Sequence, residues 1–374
     1  MQPRVLNVIA TRPEAGIKTV LENYEKFFEK NIIYDFMVFD DNPTGVFDIQ
    51  MKAHKRKIHL FKSLSIKNII NVYEELNTFF KENKNKYNIV HIHTPNVAFI
   101  VAPIAKKNGI KIIIGHSHAT KYSDKILSKL RNFILLANRN YYFTNICGCS
   151  SEALRFLSRF TIKKNKFIIK NAIDISKFKF NHGHRKIFRE EFKIKENQIL
   201  VGCIGRFNNQ KNQKFLLDVF YDLKKNNEFH LILIGSGPNK KNIEEYIKRK
   251  KMHNVTITDP RDDIYKIYSA LDILVLPSKF EGLPMVAVEG LASGLPVILS
   301  NKITKDLLCK QTTYLSINNY KFWSEAISNT NLSNYREREK ANILEELNYD
   351  IKKEQSNLIE YYEQLIYGGG IDGK

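Results

Sequence analysis

Residues 271–296, LDILVLPSKFEGLPMVAVEGLASGLP, predict a buried strand, a loop and a helix in direct succession. The apolar run ends at Pro277, Glu281 lies in the loop, and Pro284 suits the first turn of a helix. Gly294 is well placed to end that helix before the next apolar run begins. This succession is typical of a parallel α/β sheet.

The two glutamates of this stretch are placed to bind a ligand. In an open parallel sheet, ligands bind beyond the carboxyl ends of the strands, and the free N–H groups of a helix start suit a phosphate. Glu281 precedes the helix, whereas Glu289 lies about 7 Å into it from Pro284. The two carboxylates can therefore hold two hydroxyl-bearing parts of one ligand across its phosphates. The alternative is a helix-entry charge and a solvated helix residue, but the flanking glycine and proline residues favour the ligand site.

A second motif, IGRFNNQKN at residues 204–212, also follows a predicted strand and precedes a helix. Arg206 can bind a pyrophosphate through two hydrogen bonds, and Lys211 can act on it as a point charge. Either residue alone would be ordinary surface charge, but their position near the glutamates favours a binding role. The turn GSGP at residues 235–238 is interpreted as structural.

These motifs resemble glycosyltransferase family 4, the retaining enzymes of GT-B fold. Residues 272–296 match its E-x(7)-E signature in the form FEGLPMVAVE, and residues 205–211 match its G-R-x(4)-K element. The resemblance implies the following donor-site residues: Glu281 for hydroxyls of the donor sugar, with the amides of Gly282 and Leu283 beside it, Glu289 for the ribose, and Arg206 and Lys211 for the diphosphate leaving group.

The first half of the chain carries weaker signals of the same kind. The loop TRPEAGI at residues 11–17 has Gly16 where the family usually has a Gly-Gly pair that meets the donor phosphate and the acceptor. The same loop resembles the T-R-P-E-A-I-K start of UDP-N-acetylglucosamine 2-epimerases, so such an epimerase is the first alternative. By the family resemblance, the histidine beside the donor sugar is His118, with His116 as the second choice.

Histidines recur in H-x-H spacing at two predicted strand ends, His91 with His93 and His116 with His118. This spacing can bring imidazoles together on one face of a strand, and histidine is a common metal ligand. No acidic or cysteine residue lies near them in sequence, and a polar cleft lining explains them equally well. We therefore expect no metal, because the cations of the donor site take its place.

Alternating strands and helices predict two parallel-sheet domains with right-handed crossovers. The predicted fold is GT-B, in which two Rossmann-like domains face each other across a cleft. Residues 1–175 would bind the acceptor and residues 186–349 the nucleotide sugar. The intervening stretch is polar and basic, and a last helix at about 350–367 is expected to pack back on the first domain. The predicted strands are 5–10, 34–39, 89–93, 111–115, 145–148, 200–204, 230–234, 255–258, 273–276 and 296–299.

We expect a cytoplasmic protein, because the four cysteines include no C-x-x-C pair and the N-terminal apolar run is too short for a signal peptide. The formal net charge is +20, and residues 51–200 hold 30 Lys and Arg against 9 Asp and Glu. Such an excess suggests an anionic partner, although a lysine-rich solvated surface explains it equally well. The amphipathic stretch Lys121–Arg139 suits an anionic membrane surface, the alternative being a helix packed on the sheet.

Together these features predict a retaining glycosyltransferase without a cofactor. It would move a hexose or N-acetylhexosamine from a nucleotide-diphosphate sugar, with UDP-sugars expected, to a glycan or an undecaprenyl-diphosphate-linked sugar. Capsular, exopolysaccharide or O-antigen synthesis at the inner face of the cell membrane is the expected setting. The alternatives are the epimerase and a non-catalytic basic protein that binds membrane or nucleic acid, although nucleic acid is not an expected partner.

Overall fold

The structure is a computed structural model that describes residues 2–12, 15–27, 32–42, 45–123, 126–161, 164–223, 228–332, 344 and 347–368. The chain forms two compact units, the first made of Met1–Ala172 with Ile351–Lys374 and the second of Ile173–Asp350. Each unit is built on one parallel sheet, which has seven strands in the first unit and six in the second. The prediction of two parallel-sheet α/β domains is confirmed.

The first unit's sheet has the strand order β3-β2-β1-β4-β5-β6-β7. Its strands are β1 (Arg4–Ile9), β2 (Ile33–Phe39), β3 (Ile58–Phe61), β4 (Ile89–Ile92), β5 (Ile112–Ser117), β6 (Asn145–Gly148) and β7 (Asn165–Ile168). The helices before residue 172 are α1 (Ala15–Phe27), α2 (Val46–Ala53), α3 (Ile69–Glu82), α4 (Ala98–Lys107), α5 (Ile126–Leu135), α6 (Arg139–Tyr142) and α7 (Ser151–Ser158), with a 3-10 turn at Pro95–Val97.

The central strands of this sheet are buried on both faces. Every residue of β4 is buried, and so are all residues of β5 after Ile112. Such strands read as continuous apolar runs rather than as alternating patterns, because helices cover both faces of a parallel sheet. The strand order reverses between β1 and β4, so the loops that follow these two strands lie at the switch point where α/β sheets bind ligands.

The second unit's sheet has the order β10-β9-β8-β11-β12-β13. Its strands are β8 (Ile199–Ile204), β9 (Phe229–Ile234), β10 (Val255–Thr258), β11 (Ile273–Leu276), β12 (Val297–Ser300) and β13 (Thr312–Leu315). Its helices are α8 (His182–Glu191), α9 (Gln213–Leu223), α10 (Lys240–Lys250), α11 (Ile264–Ile267), α12 (Met285–Ala292) and α13 (Tyr320–Ser328), with 3-10 turns at Ile175–Phe178 and Lys305–Leu307. Here the order reverses between β8 and β11.

The last helix, α14 (Ile351–Tyr367), belongs to the first unit and packs against α1. Its buried residues include Leu358, Tyr361 and Tyr362, which form the apolar stripe expected of a helix that covers a sheet. Tyr361 stacks on Phe167 of β7 with ring centroids 4.2 Å apart. The helix thus supplies part of the first unit's core from the far end of the sequence.

The structure shows what two segments of the sequence form. The polar, basic stretch between the predicted domains, at about 171–186, carries the 3-10 turn Ile175–Phe178 and the start of α8, both within the second unit. The amphipathic stretch at 121–139 forms the shorter helix α5, in which no residue is buried. Ile126 and Leu127 are 84% and 83% exposed, so the alternative of an apolar face packed on the sheet is wrong for this helix.

Candidate functional site

The switch point of the second unit is bordered by two loops, residues 205–212 after β8 and residues 277–284 after β11. Hydrogen bonds join these loops directly. The Lys279 amide donates to the Gln210 carbonyl at 2.8 Å, and the Gln210 side chain donates to the Phe280 carbonyl at 3.0 Å. The Asn212 side chain also donates to the Pro277 carbonyl at 3.2 Å. The two sequence motifs therefore form one bonded surface.

Lys211 and Glu281 form an ion pair on this surface. The Lys211 Nζ lies 2.6 Å from Glu281 Oε1, and the side chains are 17% and 9% exposed. The hydroxyl of Ser278 donates to the same Glu281 oxygen at 2.6 Å. The ion pair and the hydroxyl thus fix the position of the Glu281 carboxylate. Ser278 was missed at the level of sequence, although it lies between Pro277 and Glu281, three residues before the glutamate.

The turn at residues 235–238 packs against the loop at residues 205–212. Gly235 has φ +150°, and a Cβ atom there would lie 2.1 Å from the Gly205 carbonyl oxygen. The Phe207 amide donates to the Ser236 carbonyl at 2.7 Å, so the two turns are bonded as well as in close contact. Only glycine permits this approach, which agrees with the structural interpretation of GSGP.

Glu289 lies on α12 and is buried against Tyr268. The Tyr268 hydroxyl donates a hydrogen bond to Glu289 Oε2. Burial raises the pKa of the Glu289 carboxyl, while the Tyr268 hydrogen bond and the charges of Lys177 and Lys211 act in the opposite direction. The pKa of Tyr268 is raised by burial and by the neighbouring carboxylate, so the hydroxyl stays protonated and acts as the hydrogen-bond donor. Tyr268 is a partner that the sequence analysis missed, because it lies 21 residues before Glu289.

The remaining predicted residues of this unit border the same surface. Arg206 is exposed, and its carbonyl accepts a hydrogen bond from the Gln213 side chain at 3.0 Å. Gly282 and Leu283 are buried just before Pro284, the N-cap of α12. The first-turn amides of a helix have no acceptor within the helix, so they are suited to an anion. The structure therefore gathers the cations, the carboxylates and a helix start around one switch point.

The four predicted histidines of the first unit form one stacked cluster. The ring centroids of His91 and His93 are 4.2 Å apart, and those of His116 and His118 are 4.1 Å apart. His91 Nε2 lies 3.1 Å from His116 Nδ1, and His93 Nδ1 lies 3.1 Å from His118 Nε2. All four imidazoles are therefore hydrogen-bonded across β4 and β5, with His118 in the pair that includes His93.

The cluster continues into residues that the sequence analysis missed. His91 Nδ1 lies 2.7 Å from the hydroxyl of Tyr362 on α14, and His93 Nε2 lies 3.0 Å from Asn7 Oδ1 on β1. Both partners are far from the histidines in sequence, at separations of 271 and 86 residues. No local pattern could have connected them, because the sheet order and the returning helix create these contacts.

Burial keeps these imidazoles neutral. It lowers the pKa of His91 to about 3 and that of His118 to about 4, and it lowers the pKa of His93 and of His116 well below the usual value. Ligand atoms of His91, His93 and His116 lie within 4.8 Å of one another, close enough for a metal ion by distance alone. The paired nitrogens, however, face each other across 3.1 Å, which is the geometry of a hydrogen bond between two imidazoles.

The loop after β1 is only partly described. Arg12 is held by two aspartates, with its Nη2 atom 2.6 Å from Asp48 Oδ2 and its Nη1 atom 3.2 Å from Asp40 Oδ2. Pro13 and Glu14 lie outside the described residues, and Gly16 lies in the first turn of α1. The arginine of the TRPEA motif is therefore paired within its own unit, with Asp40 after β2 and Asp48 in the first turn of α2.

Comparisons with known proteins agree with this arrangement. Residues 184–315 match the family model described as Glycosyl transferases group 1, which covers the candidate site of the second unit. The chain is 27% identical over 376 residues to "Putative glycosyltransferase EpsF" of Bacillus subtilis (strain 168), with 96% of each chain covered. It is 25% identical over 259 residues to the UDP-Gal:alpha-D-GlcNAc-diphosphoundecaprenol alpha-1,3-galactosyltransferase of Escherichia coli, covering 66% of this chain and 64% of that protein.

A solved structure extends the comparison to both units. The crystal structure of HepE from Anabaena in complex with UDP-glucose superposes with a TM-score of 0.82 at 16% identity, covering 96% of this chain and 99% of that one. At this identity the match concerns the fold, which is the two-domain GT-B architecture. Residues 184–315 thus match the Glycosyl transferases group 1 model, in a chain whose fold is GT-B.

Proposed function

We propose that this protein is a retaining glycosyltransferase that transfers a hexose or N-acetylhexosamine from a UDP-sugar during polysaccharide synthesis. The observation that carries the proposal is the Lys211–Glu281 ion pair at the switch point, with Ser278 on the same carboxylate oxygen. It lies inside the segment that matches the Glycosyl transferases group 1 model. The names of the relatives from Bacillus subtilis and Escherichia coli support the same activity class.

The donor would be bound by complementary parts of the second unit. A diphosphate would meet Lys211, Arg206 and the first-turn amides of α12, because these are the positive groups of the switch point. Glu281, with the Gly282 and Leu283 amides beside it, would accept hydrogen bonds from hydroxyls of the sugar. Glu289 would accept hydrogen bonds from the ribose, oriented by Tyr268.

The reaction would proceed without a metal ion or another cofactor. Departure of the diphosphate requires positive charge near its oxygens, and Arg206 with Lys211 would supply it. The leaving phosphate would take the proton of the attacking hydroxyl, so no separate base is needed. Gly16 and His118 of the first unit would contact the donor and the acceptor.

The acceptor would be a glycan or an undecaprenyl-diphosphate-linked sugar, met at the cytoplasmic face of a membrane. Helix α5 supports this part of the proposal, because its apolar residues Ile126, Leu127, Leu130 and Ile134 are all at least 58% exposed. Lys129 and Arg131 lie on the same helix and would attract anionic lipid. Among the described residues, no helix is both long and apolar enough to cross a bilayer.

The donor is tested by thermal unfolding in the presence of UDP-, GDP- and ADP-sugars, because a bound ligand stabilises the native state by mass action. HepE was solved with UDP-glucose, so UDP-sugars are the first to be tried. The expected result is a rise in the unfolding midpoint with UDP-sugars that Glu289→Ala abolishes. Glu196→Ala, which alters an exposed glutamate of the same unit, is the matched control.

Transfer is then followed with a labelled UDP-sugar and an undecaprenyl-diphosphate-linked sugar. We expect product with the wild-type protein and with Glu196→Ala, and loss of turnover with Glu281→Ala. Unchanged turnover in Glu281→Ala would refute the site. The epimerase alternative is not favoured, since the relatives reported above are glycosyltransferases by name. It would replace the proposal if UDP-N-acetylglucosamine were epimerised without an acceptor.

A further inference from the structure

A hydrogen-bonded chain of three side chains runs through the first unit from β1 to the residue after β5. Asn7 Oδ1 lies 3.0 Å from His93 Nε2, and His93 Nδ1 lies 3.1 Å from His118 Nε2. Asn7 is fully buried and His93 is 4% exposed. The chain ends at His118 Nδ1, a buried atom that has no hydrogen-bond partner within the described part of the protein.

The positions of the protons along this chain follow from its first member. Asn7 Nδ2 donates to the main-chain carbonyl of Asp35 at 3.3 Å. A carbonyl can only accept, so the amide orientation is fixed and Asn7 Oδ1 must face His93. An amide oxygen also only accepts, and His93 Nε2 therefore carries the proton of this hydrogen bond.

The proton on His93 Nε2 also determines the proton position on His118. In a neutral imidazole one nitrogen donates and the other accepts, so His93 Nδ1 is an acceptor. His118 Nε2 therefore carries a proton and donates it to His93. His118 Nδ1 is then left with a lone pair. The low pKa values of His93 and His118 that burial produces agree with neutral rings at physiological pH.

The second pair of histidines has no such fixed direction. His116 is bonded to His91, and His91 is bonded to the hydroxyl of Tyr362, which can donate or accept. Either nitrogen of each ring can therefore carry the proton. Asn7 is therefore the residue that makes His118 the donor and His93 the acceptor of the hydrogen bond between them.

We propose that Asn7 and His93 are positioning residues that hold His118 as its Nε2–H tautomer, so that Nδ1 accepts a hydrogen bond from a neutral hydroxyl of the substrate. A buried acceptor without a donor costs free energy, and a ligand hydroxyl removes that cost. A phosphate oxygen offers no proton to a lone pair, so the preferred ligand group is a sugar hydroxyl rather than an anion. This inference rests on the proposed function only for the identity of the hydroxyl.

The first test reads the tautomers directly in the full chain, by two-dimensional ¹H–¹⁵N correlation of ¹⁵N-histidine-labelled protein at pH 7. The expected spectrum gives His93 and His118 the pattern of neutral, Nε2-protonated rings. In Asn7→Leu we expect both signals to move toward a mixture of tautomers. An Nδ1-protonated or cationic His118 in the wild type would overturn the proposal, as would an unchanged His118 signal in Asn7→Leu.

The second test uses the shape of two amides. The Oδ1 atom of asparagine occupies the position of histidine Nδ1, whereas the terminal amide of glutamine occupies that of Nε2. We expect both variants to lose kcat/KM, His118→Asn by about threefold and His118→Gln by about tenfold or more, the difference being the effect of one neutral hydrogen bond. His253→Asn, at an exposed histidine, is the control for the substitution itself.

Equal losses in the two His118 variants would refute an acceptor role for Nδ1. The two tests fail in different ways. A protein without transferase activity would refute the proposed function while the tautomers remained as expected. A wrong tautomer would refute this inference while transfer and its dependence on Glu281 remained intact.

Discussion

Removing one partner of the Lys211–Glu281 pair should have unequal effects on stability. At the 2.6 Å separation of Lys211 Nζ and Glu281 Oε1, and with an effective dielectric constant of roughly 20, the attraction is about 6 kcal/mol before solvation is considered. Glu281 is the more buried member, at 9% exposed against 17% for Lys211. Among the residues that the structure describes, Lys211→Met leaves this carboxylate buried with Ser278 as its remaining side-chain partner. Glu281→Gln instead leaves a lysine that can extend toward water.

We therefore expect Lys211→Met to lower the free energy of unfolding of the second unit by about 2–3 kcal/mol. Glu281→Gln keeps the shape and an acceptor for Ser278, so it should cost about 1 kcal/mol or less. For a unit of this size, the larger loss corresponds to a fall of roughly 4–12 °C in the unfolding midpoint. The double variant should recover part of the stability, because it contains no unpaired charge.

The assay is a double-mutant cycle measured by thermal unfolding and, in parallel, by transfer from a UDP-sugar. Stability should be partly restored in the double variant, while transfer stays lost in all three variants because both groups would contact the donor. The reasoning fails if Glu281→Gln is the more destabilising single change. It fails equally if the double variant regains transfer, since the pair would then act through stability alone.

Three further outcomes are expected. Glu289→Gln should raise the unfolding midpoint of the ligand-free protein, because burial raises the pKa of this carboxyl in the folded state and its charged form therefore costs stability. This cost grows as pH rises above the pKa of the unfolded state, so the gain from the substitution should be present at pH 7.5 and shrink toward pH 4.5. No gain at any pH would show that the pKa of Glu289 is not raised by folding. Gly235→Ala should lower the free energy of unfolding by about 2 kcal/mol or more, because it adds a contact of 2.1 Å to an unfavourable φ. Gly109→Ala should lower it by less, because Gly109 has φ +96° but open space around it. Equal losses of the two variants in urea unfolding would show that the contact at Gly235 relaxes freely. Leu127→Asp should reduce binding to vesicles that contain anionic lipid, measured by co-sedimentation. The unfolding midpoint should not change, since Leu127 is 83% exposed. Ile49→Asp, at an exposed position of α2, is the control, and equal effects of the two variants would count against α5 as the docking helix.

The sequence predicted the central strands and missed three outer ones. Strands β4, β8 and β11 lie inside their sheets, so each reads as an apolar run that any pattern analysis detects. Strand β7, with the sequence NKFI, lies at the edge of its sheet and is only half covered. Strands β3 and β13 are the edges of their sheets as well. Edge strands are short and partly polar, so their pairing is decided by the neighbouring strand rather than by their own composition.

The site divides in the same way between local and distant contacts. Lys211 and Glu281 could be predicted because each lies in a short motif at the end of a central strand. Ser278 was within reach of the same reasoning. Tyr268, Asn7 and Tyr362 were not, because their partners lie 21, 86 and 271 residues away and meet them only through sheet order or a returning helix.

The two units hold their functional groups in opposite electrostatic states. In the second unit, an ammonium and a carboxylate are paired and largely buried, so charge is retained where a diphosphate would have to be bound. In the first unit, burial removes charge from four imidazoles and leaves an acceptor at His118 Nδ1. A nucleotide sugar has the same division, with an anionic diphosphate and a neutral ring of hydroxyls. The expected consequence is that salt weakens binding of UDP alone at least as much as binding of a UDP-sugar, because free UDP carries more charge on its terminal phosphate and the sugar itself carries none. A sugar contribution that fell steeply with salt would contradict this expectation, because an uncharged ring offers nothing for salt to screen.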